Sequence, residues 1–241
     1  MKINSINTVN FYTSRNTFKG SSSISEEYPK KPEGISFYEY EDIFGDLFYD
    51  CLDKHKEELY RHLDSITLKD GTSVSQNLRR MFKDTEPVTE EHLLLHKTYL
   101  ENYEKIKEGG FDPTKINKTE YGPGFYFGNC EGALTIYSGV TCKINYRGRT
   151  ARGKTALREY NQINAQLNSS LRDYLKIPFN LASPLRFKED SVLRKFINEY
   201  TRNKIVSELG IDGTNVPGSE GYFIVFNPDA VKSIDLLRCE Y

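Results

Sequence analysis

The segment Tyr121-Gly-Pro-Gly-Phe-Tyr-Phe-Gly128 constrains the fold of this chain more than any other stretch. A proline between two glycines predicts a tight turn, and the aromatic residues after it are typical of a strand. Glycine also lets a backbone approach a ligand closely, and tyrosine rings present flat faces with polar tips. The segment therefore predicts either a turn into an aromatic core strand or one wall of a pocket for a planar aromatic ligand.

Segments on both sides of this turn add to the pattern. Leu93-Leu-Leu-His-Lys-Thr98 predicts a short apolar strand with a polar end, and apolar residues at 99, 100, 103 and 106 predict a helix after it. Gly109-Gly110 is a typical helix C-cap. Near the C-terminus, Tyr222-Phe-Ile-Val-Phe226 predicts a strand that ends at Asn-Pro.

This order of elements resembles the catalytic core of the ADP-ribosyltransferases, in particular the His-Tyr-Glu branch shared by diphtheria toxin and the poly(ADP-ribose) polymerases. The resemblance covers about residues 90 to 235. It implies an α+β fold, an ADP-ribosyltransferase-like split β-sandwich of two small antiparallel sheets, with NAD as co-substrate and no metal. The positions that match the family's site are His96, Lys97, Thr98, Gly124, Tyr126 and Tyr137 for NAD binding and Glu220 for catalysis.

The resemblance also implies a role for each of these residues. Tyr126 and Tyr137, eleven positions apart, would stack on the two faces of the nicotinamide. His96 would bind the ribose of the adenosine half, and backbone groups around Lys97 would hold the carboxamide. Glu220 would stabilise the positive charge that develops on the nicotinamide ribose.

Three positions depart from the family pattern. Lys97 stands where most members have glycine, and Leu134 stands where the polymerases keep a serine near the amide. In the polymerase pattern, the catalytic glutamate would stand at Tyr222, relative to the Tyr222–Phe226 strand. Glu220 lies two residues before that position. These departures affect the carboxamide contacts and the position of the catalytic acid.

The chain divides by composition into three parts. Residues 1–27 hold six Ser, four Asn and three Thr, which predicts a disordered leader that is either a frayed terminus or a type III secretion signal. Residues 28–88 carry an apolar stripe at helical spacing and predict a helical region packed on the core, where it covers the NAD cleft or presents a substrate surface. Residues 89–241 are the predicted catalytic core.

Within this core, alternation predicts a strand at 139–146, and apolar spacing predicts helices within 154–175 and 191–209. The tract from Tyr146 to Lys154 holds four cations in nine residues. It predicts a solvated loop, with a phosphate-contacting loop as the alternative.

Charge and cysteine usage narrow the classes of partner. A net charge of −1 provides no basic field, which disfavours nucleic acid as the partner, and no apolar run reaches the length of a membrane span. Four scattered cysteines form no CxxC pair and no metal-ligand spacing, which is typical of reduced thiols.

The predicted activity is transfer of a single ADP-ribose to a host protein. Gly218 stands where arginine-modifying toxins have Glu or Gln, so a Thr or Ser hydroxyl is the expected acceptor. The leader, core and helical extension together resemble the CteC-type effectors, which modify a threonine of ubiquitin, and this implies secretion into the host cytosol. The alternatives are an NAD-fold interaction module without strong catalysis and a nucleic-acid-modifying relative.

Overall fold

The computed structural model describes residue 24 and residues 27–112, 122–129, 139–177, 183–216 and 221–240. Its α-helices in this part of the chain are α1 (Phe37–Lys54), α2 (Lys56–Asp64), α3 (Val74–Met81), α4 (Leu100–Gly109), α5 (Tyr160–Leu175) and α6 (Arg186–Leu209). Its strands there are β1 (Asp84–Thr98), β2 (Phe125–Gly128), β3 (Gly139–Lys154), β4 (Gly213–Asn215), β5 (Tyr222–Val225) and β6 (Val231–Glu240). This mixture of helices with a β-sheet core is compatible with the predicted α+β class.

The three N-terminal helices form where the apolar spacing predicted helix. Their buried residues include Phe44, Phe48, Leu52, Leu59 and Leu63 of the predicted stripe. Ser36 and Glu39 form a capping box at the start of α1, and Ser73 and Gln76 form another at the start of α3. The predicted stripe is interrupted at His55, where φ of −108° and ψ of 18° separate α1 from α2.

Tyrosine–carboxylate hydrogen bonds join the N-terminal region to the later helices. The donor and acceptor pairs are Tyr28–Glu189 (2.5 Å), Tyr49–Glu199 (2.5 Å), Tyr174–Glu58 (2.6 Å) and Tyr200–Asp64 (2.8 Å). Ile24 is also buried, and the Glu27 carboxylate pairs with Lys54 at 2.6 Å. The helical region therefore forms one layer with α5 and α6, and its packing contacts begin a few residues before Tyr28.

The strands form one continuous sheet that closes on itself. Its order is β1-β2-β5-β4-β3, and pairing between β1 and β3 closes these five strands into a small barrel. β6 pairs with the first half of β3, and β4 pairs with the second half along the same edge. All pairs are antiparallel except β3–β4. The structure thus connects, through the long strand β3, what the sequence predicted as two small sheets.

The basic tract at the end of β3 is a strand and not the predicted solvated loop. β1 begins at Asp84, nine residues before the apolar strand predicted at Leu93, and pairs with β3 as far as Lys154. Acidic residues of β1 face cations of β3: Arg152 bonds to Glu90, and Arg147 lies 3.4 Å from Glu91. Opposite charges on neighbouring strands support the pairing of two segments that are polar by composition.

Side chains on the two faces of the barrel strands build two separate cores. The inner core lies inside the barrel, because the ring centre of Phe223 of β5 is 5.0 Å from that of Tyr146 of β3 and 4.9 Å from that of His92 of β1. Strand β5 is a sheet neighbour of neither β3 nor β1, so these contacts cross the interior. The outer core lies between the barrel and the helices and includes Ile224 and Phe226. Alternation along each strand therefore decides whether a residue faces the barrel interior or the helices.

Candidate functional site

His96, near the end of β1, lies at one end of the barrel interior. The centre of its ring lies 5.6 Å from the ring centres of both Phe111 and Phe127, in edge-on contacts. Burial lowers the pKa of His96 to about 4, against a smaller opposing effect of the nearby Tyr126 backbone. The imidazole is therefore neutral near pH 7, so it can orient a group by hydrogen bonding but supplies no positive charge.

Tyr126 turns its ring to the opposite face of the sheet from His96. The β1–β2 register pairs Leu95 with Gly128, and its continuation places His96 opposite Phe127 and Lys97 opposite Tyr126. The Tyr126 ring accordingly packs on the outer core, and its hydroxyl donates to the Gly122 carbonyl at 2.7 Å. His96 and Tyr126 thus lie on adjacent strands, with their rings on opposite faces of the sheet.

Gly124 is required by packing within the barrel wall. A Cβ at this position would lie 2.2 Å from Cγ2 of Ile224 and 2.8 Å from the carbonyl oxygen of Val225. The expected close approach of the backbone at Gly124 is therefore made to β5. Two residues earlier, Gly122 has a φ of +122°, a conformation that glycine adopts readily.

Lys97 and Thr98 both lie on the paired part of β1. They pair with Thr141 and Val140 of β3, and both side chains are partly exposed. A Cβ on Gly139 would lie 2.4 Å from the Thr98 carbonyl oxygen, so the end of β1 lies directly against the start of β3. The predicted binding triplet thus occupies a fixed position at one rim of the barrel.

Tyr137 and Glu220 lie outside the described residues, but the chain on either side of them is defined. The amide of Asn129, just before the segment 130–138, donates to the carbonyl of Gly221, just after the segment 217–220, at 2.8 Å. Gly128 pairs with Leu95, the residue before His96. The described residues that flank these two segments, Asn129 and Gly221, are therefore hydrogen-bonded to each other, and Asn129 directly follows the strand next to His96.

A buried polar stripe on α6 was not predicted from the sequence. Asn198, Thr201 and Arg202 follow helical spacing and are each at most 3% exposed. The Arg202 guanidinium lies 5.5 Å from the ring centre of Phe125, and its Nη1 has no hydrogen-bond partner in the described part of the chain. Burial lowers the pKa of Arg202, although the nearby Glu199 opposes this. The signal for this stripe was available, because i, i+3, i+4 spacing holds for polar residues as well as apolar ones.

The described residues contain neither a metal-ligand cluster nor a membrane-spanning helix. Among them, no group of three or more His, Cys, Asp or Glu side chains is arranged to hold a metal ion. No helix in the same ranges has the length and apolar character needed to cross a bilayer. Comparison with protein-family models, with curated proteins and with solved structures finds no match to this chain.

Proposed function

We propose that this protein is an NAD-dependent mono-ADP-ribosyltransferase. The observation that carries the proposal is that His96 and Tyr126 lie on adjacent strands: β1 pairs with β2 through Leu95 and Gly128, and the centres of the His96 and Phe127 rings are 5.6 Å apart. The pairing brings together two residues that lie thirty positions apart and that both match the family's motif. We further propose that the barrel and its β6 extension correspond to the split β-sandwich of that family.

The arrangement of the rim supports a pocket for a planar ring on the outer face of β1 and β2. Lys97 and Tyr126 are neighbours on that face, so the backbone of Lys97 would hold a carboxamide beside a ring stacked on Tyr126. Tyr137 would close the second face of that ring, and the neutral His96 would hold a ribose hydroxyl and position the Tyr126 backbone. NAD would supply the ADP-ribosyl group, and the carboxylate of Glu220 would stabilise positive charge on its nicotinamide ribose.

The proposed acceptor is a Thr or Ser hydroxyl of a host protein, with a threonine of ubiquitin as the first candidate. Gly218 provides no side chain to hold a guanidinium, and a hydroxyl needs only alignment with the ribose carbon. Delivery into the host cytosol follows from the effector resemblance. A nucleic-acid acceptor is disfavoured, because Arg147 and Arg152 on β3 already face Glu91 and Glu90.

Release of nicotinamide from NAD tests the proposal, in the presence of ubiquitin or a host lysate. Wild type should turn NAD over, and Glu220→Ala should slow this by about 100-fold or more, because it removes the group that stabilises developing charge. Asp229→Asn is the matched control, since Asp229 is the next acid along the chain and lies exposed in a 3-10 turn. It should keep the wild-type rate.

Two outcomes would contradict the proposal at different levels. A Glu220→Ala variant with wild-type turnover would remove Glu220 from the mechanism and leave the enzyme class standing. A wild-type protein that neither releases nicotinamide nor labels any lysate protein with ADP-ribose would overturn the proposed activity itself.

A further inference from the structure

A polar cleft of 480 Å³ opens between α5 and α6. It is lined by Asn161, Asn164, Ala165, Asn168, Asp190 and Arg194. Its volume lies within the range of about 300–1,000 Å³ that is usual for small-molecule sites. Arg194 precedes Arg202 by eight residues on α6, so the cleft lies about 12 Å along the helix from the contact with Phe125. It is therefore distinct from the proposed NAD site.

The floor of the cleft is a side chain held in a fixed orientation. Asn164 is only 7% exposed, and its Nδ2 donates to the hydroxyl of Tyr160 at 3.2 Å and to Oδ1 of Asn198 at 3.1 Å. The Tyr160 hydroxyl also donates to Asn198 Oδ1, at 2.8 Å. Both hydrogen bonds of Asn164 use its nitrogen, and its Oδ1 has no partner among the described residues. The carbonyl oxygen of Asn164 is thus available as a pre-oriented acceptor.

Three polar side chains in the walls of the cleft make no hydrogen bond or ion pair within the described ranges. Asn161 and Asn168 lie on the same face of α5 as Asn164, and neither amide has a hydrogen bond within the described ranges. Arg194 is exposed and has no ion pair in those ranges. The Asp190 carboxylate, in contrast, accepts a hydrogen bond from Arg172 at 2.7 Å. Arg172 also pairs with Glu189 at 3.2 Å, and Arg186 lies 3.9 Å from Asp190, so two arginines offset these two carboxylates. Arg194 is left as the uncompensated charge of the cleft, and that charge is positive.

We propose that this cleft binds a sugar phosphate. Planar amides offer a donor and an acceptor side by side, which suits the neighbouring hydroxyls of a sugar. The fork of a guanidinium matches phosphate oxygens, and the single uncompensated arginine suits a single phosphate. The Asp190 carboxylate, with its charge offset by Arg172, accepts a hydrogen bond from a further hydroxyl. The assignment is independent of the proposed transferase activity.

Calorimetric titration of the full chain with ribose 5-phosphate tests this assignment, with ribose and inorganic phosphate as separate ligands. We expect ribose 5-phosphate to bind at least about tenfold more tightly than either component alone, because both halves of the site are then used. Arg194→Gln should weaken binding by about tenfold or more, and Asn161→Ala should weaken it less. Arg147→Gln removes an exposed arginine from the barrel and should leave binding unchanged.

The Asn161→Ala and Arg194→Gln substitutions should leave the fold intact, so a change in affinity reports on binding. Both Asn161 and Arg194 are exposed, so their substitution leaves the buried network around Asn164 in place. Equal affinities for inorganic phosphate and ribose 5-phosphate would overturn the sugar assignment. Absence of ribose 5-phosphate binding, or unchanged affinity in Arg194→Gln, would overturn the site altogether.

Discussion

Acidification should destabilise this protein through His96 at a pH well above that at which most carboxylates titrate. Burial lowers the pKa of the His96 imidazole from its ordinary 6.5 to about 4. Between these two values the unfolded chain binds a proton at this residue and the folded chain does not, so stability falls as the pH falls. From about pH 8 to about pH 5, His96 alone should lower the free energy of unfolding by about 2 kcal/mol.

Urea unfolding of wild type and His96→Gln at these two pH values measures the effect. Glutamine keeps a hydrogen-bonding side chain beside the Tyr126 backbone but does not titrate in this range. His62, whose pKa is also lowered by burial, is present in both proteins, so its contribution cancels in the comparison. Wild type should lose about 2 kcal/mol more than the variant on acidification. Equal losses in the two proteins would refute the conclusion that His96 is held neutral by the barrel interior.

Two further predictions concern packing. Tyr49→Phe should lower the free energy of unfolding by about 1–2 kcal/mol, because the buried Glu199 loses a hydrogen bond of 2.5 Å. The control is Tyr38→Phe, at a residue that is 80% exposed, which should have almost no effect in the same urea titration. If both variants match wild type, the tyrosine–carboxylate bonds do not hold the N-terminal helices to α6. Gly124→Ala should lower the thermal midpoint and reduce the free energy of unfolding by about 1–3 kcal/mol, because its Cβ would clash with β5. The control is Gly109→Ala, where an added Cβ meets open space and stability should be unchanged. A Gly124→Ala protein as stable as Gly109→Ala would contradict the packing described for this glycine.

Helical parts of the fold were predictable because their signals are local. Apolar spacing predicted a helical N-terminal region, and together with the Gly109-Gly110 cap it predicted α4 to within a residue or two, since a helix depends on neighbours three and four positions away. The break at His55 was not predictable, because residues on both sides of it continue the same apolar stripe.

Strand boundaries were harder to predict, since they depend on partners distant in sequence. The first part of β1 contains Pro87 and several acidic residues and has no apolar alternation. It is a strand because β3 supplies complementary cations and hydrogen-bonding groups about sixty residues later. β4 has only three residues, and it forms because the chain passes between β3 and β5 at that point. Hydrophobic periodicity in the sequence does not show which strands pair with β1 or with β4.

For the candidate site, the sequence predicted that His96 and Tyr126 both contact NAD but not which face of the sheet each side chain occupies. In the structure the two residues lie on the adjacent strands β1 and β2. Because side chains alternate along a strand, a register one residue different would have put both rings on one face. Continued from the Leu95–Gly128 pair, the register places Tyr126 beside Lys97 outside the barrel and leaves His96 inside it. A ligand ring stacked on Tyr126 is therefore separated from the His96 imidazole by the strand backbone. For this reason the proposed contact of His96 with a ribose has to be made at the open rim beyond Thr98, where β1 ends.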